Sequence, residues 1–341
     1  MQRRHLLQLA AAPALAALGA PAVIAQPSLT RVRYTLDFRI TGQIAPFLLA
    51  QGKGYFREEG LDVTIDVGSG SVASITRVAS GAYDMGSGDI SSLIEFNAAN
   101  AGPPIVQAVY QYYNRAPFTI IGRKDKGITD WKSLQGKRIG AAAVEATKRA
   151  WPMAARRVGL KPDALQWITT DFNSRDNVVV RGDVDGATYF HDSALSLFQR
   201  MKMEELTVLS YADAGCSLYG NAVLASSSFM HGNPKAVAGF LRALNRGLQE
   251  TLPNPAAAMV HVKQREPLLD EKVETERFKI TAGYIVTPDS RGHGLGDVRK
   301  LLIEQQVDEV TEVFGLKVRP SADAIFNGSF LPARAERVVR T

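Results

Sequence analysis

Cysteine is almost absent from this sequence, which has Cys216 alone among its 341 residues. A single thiol cannot form an intramolecular disulfide, so the fold is not a disulfide-held scaffold. Beyond residue 25 the sequence also lacks any run approaching the roughly 18 uninterrupted apolar residues of a membrane-spanning helix. We therefore expect a chain that folds around an ordinary apolar core.

The sequence has only a small excess of charge of one sign and few residues that build catalytic or metal sites. Lys and Arg number 40 against 34 Asp and Glu, and the two signs alternate along the chain, which gives little support for nucleic-acid binding. The five histidines are scattered, and Gly-x-Ser-x-Gly, P-loop and His-Glu-x-x-His motifs are missing. We therefore expect no metal, no cofactor and no enzymatic activity.

Residues 1–25 have the pattern of a secretory signal peptide. Arg3 and Arg4 supply the positive start, an apolar stretch runs from Leu6 to Leu18, and small residues precede a cleavage site after Ala25. The paired arginines are also compatible with twin-arginine export. No cysteine follows the signal to take a lipid anchor, so the sequence predicts a soluble periplasmic protein.

From residue 32 onward, short β-like runs alternate with amphipathic helical runs, which predicts an α/β fold with largely parallel sheets. The length favours two domains. We assign residues 26–117 and 225–341 to one lobe and residues 118–224 to the other, with chain crossings near 116–120 and 219–224 as the hinge. After Asn221 long helical stretches follow, and we expect them to pack back on the first lobe.

Several motifs in this pattern resemble those of one protein family. They are Leu36-Asp37-Phe38, Gly-Tyr-Phe-Arg-Glu-Glu-Gly-Leu-Asp-Val at 54–63, Gly-Ala-Tyr-Asp-Met-Gly at 81–86, Trp-Lys-Ser-Leu-Gln-Gly-Lys-Arg-Ile-Gly at 131–140 and Arg-Gly-Asp-Val-Asp-Gly-Ala at 181–187. The sequence is similar in these to periplasmic binding proteins for nitrate, sulfonate, taurine and thiamine pyrimidines. The resemblance implies a type II, Venus-flytrap fold that closes on a small molecule. It also implies a monomer that delivers this molecule to a membrane permease with a cytoplasmic ATPase.

In open α/β sheets, ligands bind where the carboxyl ends of strands meet the starts of helices. In the first lobe, Asp37 and Phe38 follow the first strand, and a carboxylate beside an aromatic face suits a flat nitrogen-containing ring. A glycine–serine loop offers backbone N–H groups and hydroxyls. The first-lobe candidates for ligand binding are Asp37, Phe38, Ser69, Gly70, Ser71, Gly88, Asp89 and Tyr112; Asp89 also suits a helix N-cap. By strand alternation, Tyr110 and Tyr112 share one side and Tyr113 the other.

In the second lobe, a helix begins directly after the strand that ends at Ala143, and residues 189–192 end another strand. The candidates there are Glu145, Thr147, Tyr189 and His191, with Asn221 on the returning crossing. Glu145 could accept hydrogen bonds from a ligand amino group or simply favour the helix dipole.

These residues leave the ligand open. Asp37, Phe38 and Glu145 favour a small heteroaromatic ligand, such as a thiamine-related pyrimidine, although Phe38 replaces the Trp of thiamine-pyrimidine binders and Arg39 departs further from their pattern. The alternative is an alkyl sulfonate, taurine or nitrate, which the glycine–serine loop and Arg39 favour. Alternative classes are a pyrimidine-synthase-like enzyme on the same fold, whose fungal forms carry a cysteine-rich motif that this chain lacks, and a sensor subunit for a signalling receptor.

Overall fold

The computed structural model describes residues 28–100 and 102–340. The signal peptide predicted for residues 1–25 lies outside these residues. The strands are β1 (Thr30–Thr35), β2 (Leu61–Asp66), β3 (Met85–Asp89), β4 (Val106–Gln111), β5 (Phe118–Arg123), β6 (Arg138–Ala141), β7 (Gln166–Thr169), β8 (Gly186–Phe190), β9 (Leu206–Ser210) and β10 (Asn221–Ser226).

Fifteen α-helices lie among the described residues. They are α1 (Ala45–Gly52), α2 (Tyr55–Glu58), α3 (Ser71–Ala79), α4 (Ile90–Ala99), α5 (Ala146–Arg149), α6 (Trp151–Arg157), α7 (Arg175–Arg181), α8 (Leu195–Phe198), α9 (Ser227–Gly232), α10 (Pro234–Thr251), α11 (Pro255–Arg265), α12 (Glu271–Ile285), α13 (Pro288–His293), α14 (Lys300–Phe314) and α15 (Ala322–Ile325). No helix in this part of the chain combines the length and the apolar character needed to cross a bilayer.

The strands form two five-stranded sheets, with orders β2-β1-β3-β10-β4 and β7-β6-β8-β5-β9. We call the units around these sheets the first lobe and the second lobe. Both sheets are mixed: β10 is antiparallel to β3 and β4, and β5 is antiparallel to β8 and β9. The expectation of largely parallel sheets holds for four of the five strands in each sheet, and the fifth, β10 or β5, runs in the opposite direction. The reason lies in the crossings, because β5 and β10 each enter a sheet from the hinge, whereas β1 and β3 run towards it.

Two features of the sequence build the core of the first lobe. One is the alternation of buried and exposed residues in its edge strand, and the other is a helix from later in the chain that packs on its sheet. In β2, Leu61, Val63 and Ile65 are buried while the intervening polar residues are exposed, as a strand with one covered face requires. On α10, Phe240 stacks on Tyr34 of β1 with ring centres 5.2 Å apart. Helix α10, which follows the second crossing, thus packs on the first sheet.

The chain passes between the lobes twice, through residues 112–117 and 211–220. The two segments are hydrogen-bonded to each other, because Ala116 N donates to Leu218 O at 2.8 Å and Gly220 N donates to Tyr113 O at 3.0 Å. Strand β10 joins the first sheet from Asn221 onward, so residues 221–224, which we had assigned to the second lobe, pair within the first. The other lobe boundaries stay predictions.

The helix that we expect directly after the strand ending at Ala143 is two short helices in the structure, α5 and α6. Pro152 lies in the first turn of α6. Proline is accepted there because the first N–H groups of a helix have no partner within the helix, but a continuous helix would need that N–H. Helix α7 was not predicted at all.

Candidate functional site

A cavity lies between the two lobes, in two adjoining chambers that share Asp37, Phe38, Gln43 and Phe190. The space that a water-sized molecule can enter is about 30 Å³ in each chamber. The first chamber is lined by Asp37, Phe38, Gln43, Gly70, Ser71, Glu145, Ala146, Thr147, Phe172, Arg175, Phe190 and Ser193. The second chamber is lined by Leu36, Asp37, Phe38, Arg39, Gln43, Ile44, Phe47, Ser87, Tyr112, Tyr113, Phe190, Asn221 and Ala222.

Asp37 is held at the junction of the chambers by side chains of its own lobe. Asn221 Nδ2 donates to Asp37 Oδ2 at 2.5 Å, and Ser71 Oγ lies 3.4 Å from the same oxygen. Both side-chain bonds end on Oδ2, and no side chain among the described residues donates to Oδ1. Burial raises the pKa of Asp37 above its usual range, while the bonds from Asn221 and Ser71 act in the opposite direction.

Glu145 faces Asp37 from the second lobe and is buried. Its carboxylate accepts hydrogen bonds from Thr188 Oγ1 and, at 3.1 Å, from Ala142 N, and it lies 3.4 Å from Arg175 Nη1. Burial raises the pKa of Glu145, and the guanidinium of Arg175 partly offsets that rise. The site thus holds a carboxyl group on each lobe.

Aromatic rings close the space between these carboxyl groups. Phe38 of the first lobe meets Phe172 of the second edge to face, with ring centres 4.7 Å apart. Phe190 contributes a third ring to both chambers and packs against Tyr113 at 5.8 Å. Apolar walls with a few polar groups are typical of small-molecule sites.

The glycine–serine loop before α3 is positioned differently from our expectation. Gly68 N donates to Phe38 O at 3.0 Å and Gly70 N donates to Asp37 O at 2.8 Å. These N–H groups therefore hold the Asp37–Phe38 segment in place and are not directed at a ligand. Gly70 and Ser71 line the first chamber, whereas Ser69 is exposed and lies outside both chambers.

Eight predicted residues line the chambers: Asp37, Phe38, Gly70, Ser71, Tyr112, Glu145, Thr147 and Asn221. Tyr112 and Tyr113 both line the second chamber, although alternation had placed them on opposite sides. The reason is that β4 ends at Gln111, so the period of two stops before them. Assignment of ligand contacts to these residues stays a prediction.

Besides Ser69, the predicted residues Gly88 and Asp89 lie outside the chambers, in the first lobe. A Cβ atom on Gly88 would come within 2.7 Å of a Leu224 methyl group, so Gly88 faces the packed interior. Asp89 is the N-cap of α4, as expected, and its carboxylate accepts a hydrogen bond from Ser92 N at 2.9 Å.

Tyr189 and His191 of the second lobe also lie outside. The hydroxyl of Tyr189 donates to Asp176 at 2.8 Å, and its ring centre lies 4.1 Å from the guanidinium carbon of Arg175. His191 Nδ1 lies 2.9 Å from the hydroxyl of Tyr284 on α12. Tyr189 therefore supports a wall of the first chamber from behind, and His191 joins the lobes near the hinge.

The chamber residues that were not among our predicted contacts include Gln43, Phe172, Arg175 and Phe190. Gln43 and Phe190 lie beside predicted segments. Phe172 and Arg175 lie at the start of α7, where Asp171 accepts hydrogen bonds from Asn173 N and Ser174 N at 2.7 and 2.9 Å. A capping aspartate after the strand ending at Thr169 was the signal that could have located this helix start.

Asp192 connects the lobes beside the chambers. Its buried carboxylate accepts hydrogen bonds from Gln43 Nε2 at 2.6 Å, the Tyr113 hydroxyl at 2.6 Å and Thr281 Oγ1 at 2.8 Å. Burial raises the pKa of Asp192, and these donors oppose that rise. Gln43 therefore lines both chambers and also bonds to the opposite lobe.

Within residues 28–100 and 102–340, no three His, Cys, Asp or Glu side chains are grouped so that they could hold a metal ion. Cys216 is buried, and burial raises the pKa of its thiol to about 12, so it is a poor metal ligand or nucleophile.

Two α/β lobes that enclose a cavity and are joined by two crossings define the fold of the periplasmic binding proteins. The alkanesulfonate-binding protein SsuA from Xanthomonas axonopodis pv. citri, solved bound to MOPS, matches the structure with a TM-score of 0.68 over 89% of this chain and all of that chain, at 16% identity. The chain belongs to the NMT1/THI5-like family, whose model matches residues 41–258. The family resemblance and the α/β two-lobed fold expected from the sequence are thus confirmed.

Two curated relatives differ in what their names describe. The 4-amino-5-hydroxymethyl-2-methylpyrimidine phosphate synthase of Aspergillus parasiticus is 27% identical over 270 residues, covering 75% of this chain and 77% of the relative. The riboflavin-binding protein RibY of Chloroflexus aurantiacus is 28% identical over 250 residues, covering 72% and 69%. The synthase is an enzyme, so the prediction from missing motifs that this chain is not an enzyme is wrong. The motifs sought belong to other folds and do not test chemistry on this one.

Proposed function

We propose that the protein captures a small heteroaromatic solute of the aminopyrimidine type between its lobes, outside the cytoplasm, and delivers it to a membrane permease driven by a cytoplasmic ATPase. The observation that carries this proposal is the pair of carboxyl groups, Asp37 and Glu145, on opposite lobes of a cavity walled by Phe38, Phe172 and Phe190. A flat ring with amino groups satisfies both features.

The chemistry of the carboxyl groups favours an amino-substituted ring. Burial raises the pKa of both Asp37 and Glu145, which favours the protonated form of each. A protonated carboxyl group offers one donor and one acceptor side by side. The edge of a 4-aminopyrimidine presents the complementary pair, a ring nitrogen that accepts and an amino group that donates.

The comparisons support this ligand class and leave a competitor. The name of the synthase relative includes a pyrimidine, and the name of the riboflavin-binding relative includes riboflavin, which is also heteroaromatic. The structural neighbour is named for binding alkanesulfonates. An alkyl sulfonate, taurine or nitrate is therefore the alternative ligand. A sulfonate or nitrate group has acceptors only, so it offers no donor to the acceptor oxygen of either carboxyl group.

The test is a binding panel measured by isothermal titration calorimetry on protein without residues 1–25. We expect 4-amino-5-hydroxymethyl-2-methylpyrimidine to bind, and ethanesulfonate, taurine and nitrate to bind at least tenfold more weakly. Asp37→Ala should weaken the pyrimidine about tenfold or more, since both hydrogen bonds of the carboxyl group are lost, whereas Asp37→Asn keeps a donor and an acceptor side by side and should weaken it less. The exposed Asp163→Ala is the matched control. Binding of the sulfonate or nitrate alone would overturn the proposal.

Synthesis of a pyrimidine, as named for the fungal relatives, is the second candidate function. Two buried carboxyl groups whose pKa values are raised by burial are of the kind used in general acid–base catalysis, which favours this candidate. Mass spectrometry of the bound compound after incubation separates the two functions. An unchanged pyrimidine supports capture and delivery, and a newly formed pyrimidine product supports synthesis.

A further inference from the structure

Two arginines lie beside Phe38, one on each lobe. The guanidinium carbon of Arg39 is 5.0 Å from the Phe38 ring centre, and that of Arg175 is 6.0 Å from it. Arg39 lines the second chamber and Arg175 the first. The carboxyl groups of the proposed site therefore share the cavity with two cations.

The positive charge of these arginines is incompletely matched. Arg175 is 3% exposed and has one carboxylate near it, that of Glu145 at 3.4 Å. Arg39 is half-buried and has no carboxylate within ion-pair distance in the part of the chain that the structure describes; its nearest acceptor is Asn173 Oδ1 at 3.3 Å. Burial lowers the pKa of Arg39, and the neighbouring Arg175 lowers it further.

Both arginines also have a donor without an acceptor. The Nε atoms of Arg39 and Arg175 are buried and make no hydrogen bond to any described residue. Leaving a buried charged donor unpaired is costly, and such groups usually have a partner. The bonds that the two guanidinium groups do make are long, since Arg175 Nη2 lies 3.4 Å from Ser193 Oγ. An acceptor with more than one oxygen would bind better than either neighbour.

We propose that Arg39 and Arg175 form a subsite for an anionic substituent, so that the ligand is a heteroaromatic ring carrying a carboxylate, phosphate or sulfonate group. This inference rests on the proposed function for the ring and adds its substituent. Guanidinium groups bind planar or tetrahedral oxyanions through paired N–H groups, and they do so best away from water. Because Arg39 and Arg175 belong to different lobes, an anion between them would also favour closure.

The experiment compares 4-amino-2-methylpyrimidines whose substituent at carbon 5 is hydroxymethyl, carboxymethyl, phosphooxymethyl or sulfomethyl. Calorimetry should give at least tenfold tighter binding for one or more of the three anionic compounds than for the neutral one, and their order identifies the anion. Arg39→Gln should remove that advantage, so that the affinities of the anionic and neutral compounds for this variant differ less than threefold. Arg115→Gln is the matched control, because Arg115 also lies over an aromatic ring, 5.0 Å from Tyr284, outside both chambers. Thermal unfolding confirms that each variant is folded.

The outcomes separate this inference from the proposed function. If the neutral pyrimidine binds and no anionic one binds more tightly, the anion subsite is wrong and the proposed function stands. If no pyrimidine binds but phosphate or ethanesulfonate stabilises the wild type against heat and leaves Arg39→Gln unchanged, the subsite is supported and the pyrimidine is wrong. If neither kind of compound has an effect, both are wrong.

Discussion

The carboxyl group of Asp89 has two oxygens in different surroundings. Oδ1 accepts a hydrogen bond from Ser92 N, whereas Oδ2 is buried and has no partner among the described residues. Burial is the main reason why the pKa of Asp89 rises to about 7, against an ordinary value of 3.8. The folded protein therefore keeps a proton that the unfolded chain loses between pH 4 and 7, so this residue makes folding less favourable as the pH rises through that range.

Asp89→Asn should keep the helix cap and remove the buried charge, because asparagine caps about as well as aspartate. We expect the variant to have a higher free energy of unfolding than the wild type, and this difference should be larger at pH 8 than at pH 5. The increase should be on the order of 1–3 kcal/mol, since each pKa unit corresponds to about 1.4 kcal/mol. Urea unfolding at the two pH values measures this difference.

The control is Asp270→Asn at the exposed N-cap of α12. Backbone bonds from Val273 and Lys272 lower the pKa of Asp270, so its contribution is lost only as the pH falls below the usual aspartate range. That variant should shift by the same amount at pH 5 and pH 8. Equal behaviour of the two variants would contradict a buried, protonated Asp89.

Among the elements, the loop between β2 and α3 brings the two lobes into close contact at a single residue. Gly70 has a φ of +130°, and a Cβ atom there would lie 2.3 Å from the carbonyl oxygen of Val144 on the second lobe. Glycine is needed both for this backbone conformation and for the space. The sequence predicted the loop as part of the site but could not show that the opposite lobe fills the position of its side chain.

Gly70→Ala should therefore hinder closure. We expect ligand affinity to fall at least tenfold, and small-angle X-ray scattering to show less compaction on addition of the bound compound than in the wild type. Gly54→Ala is the control, since Gly54 also has a positive φ, +80°, but no atom lies within 4 Å of its Cβ position. Normal compaction of the Gly70→Ala variant would show that closure does not need this contact.

Elements that follow a simple period were predictable, and those set by the hinge were not. The alternation in β2 predicts a strand and the apolar spacing in α10 predicts a helix, because each element has apolar side chains on one face. The site residues found in advance directly follow strands or begin helices. Arg175 was missed because α7 has only seven residues, too few for a periodic signal, and the contact of Gln43 with Asp192 depends on how the lobes meet.

On the scale of the whole molecule, three ion pairs join the outer edges of the two lobes, and in each of them the acidic residue belongs to the first lobe. Glu95 on α4 and Glu309 and Glu312 on α14 belong to the first lobe, and each meets an arginine of the second. The distances are 2.9 Å from Arg149 Nε to Glu95, 3.0 Å from Arg157 Nη2 to Glu309 and 2.6 Å from Arg156 Nη2 to Glu312. The closed form is thus stabilised by attraction between an acidic edge and a basic edge.

Attraction of this kind is screened by salt, and each exposed pair contributes roughly 0.2–1 kcal/mol. We therefore expect the dissociation constant of a neutral pyrimidine to rise when NaCl increases from 0.05 to 0.5 M. The triple variant E95Q/E309Q/E312Q should bind roughly 3- to 150-fold more weakly at low salt and lose most of that salt dependence, because only the closed form contains these pairs.

A second triple variant, E58Q/E59Q/E250Q, makes the same change of charge at ion pairs within the first lobe: Arg246 with Glu58, Arg242 with Glu59 and Lys53 with Glu250. These pairs are the same in the open and closed forms, so this variant should keep the wild-type affinity and its salt dependence. If both triple variants weaken binding equally, the effect belongs to net charge and not to closure. If only the first does, the acidic and basic edges act on the equilibrium between the lobes.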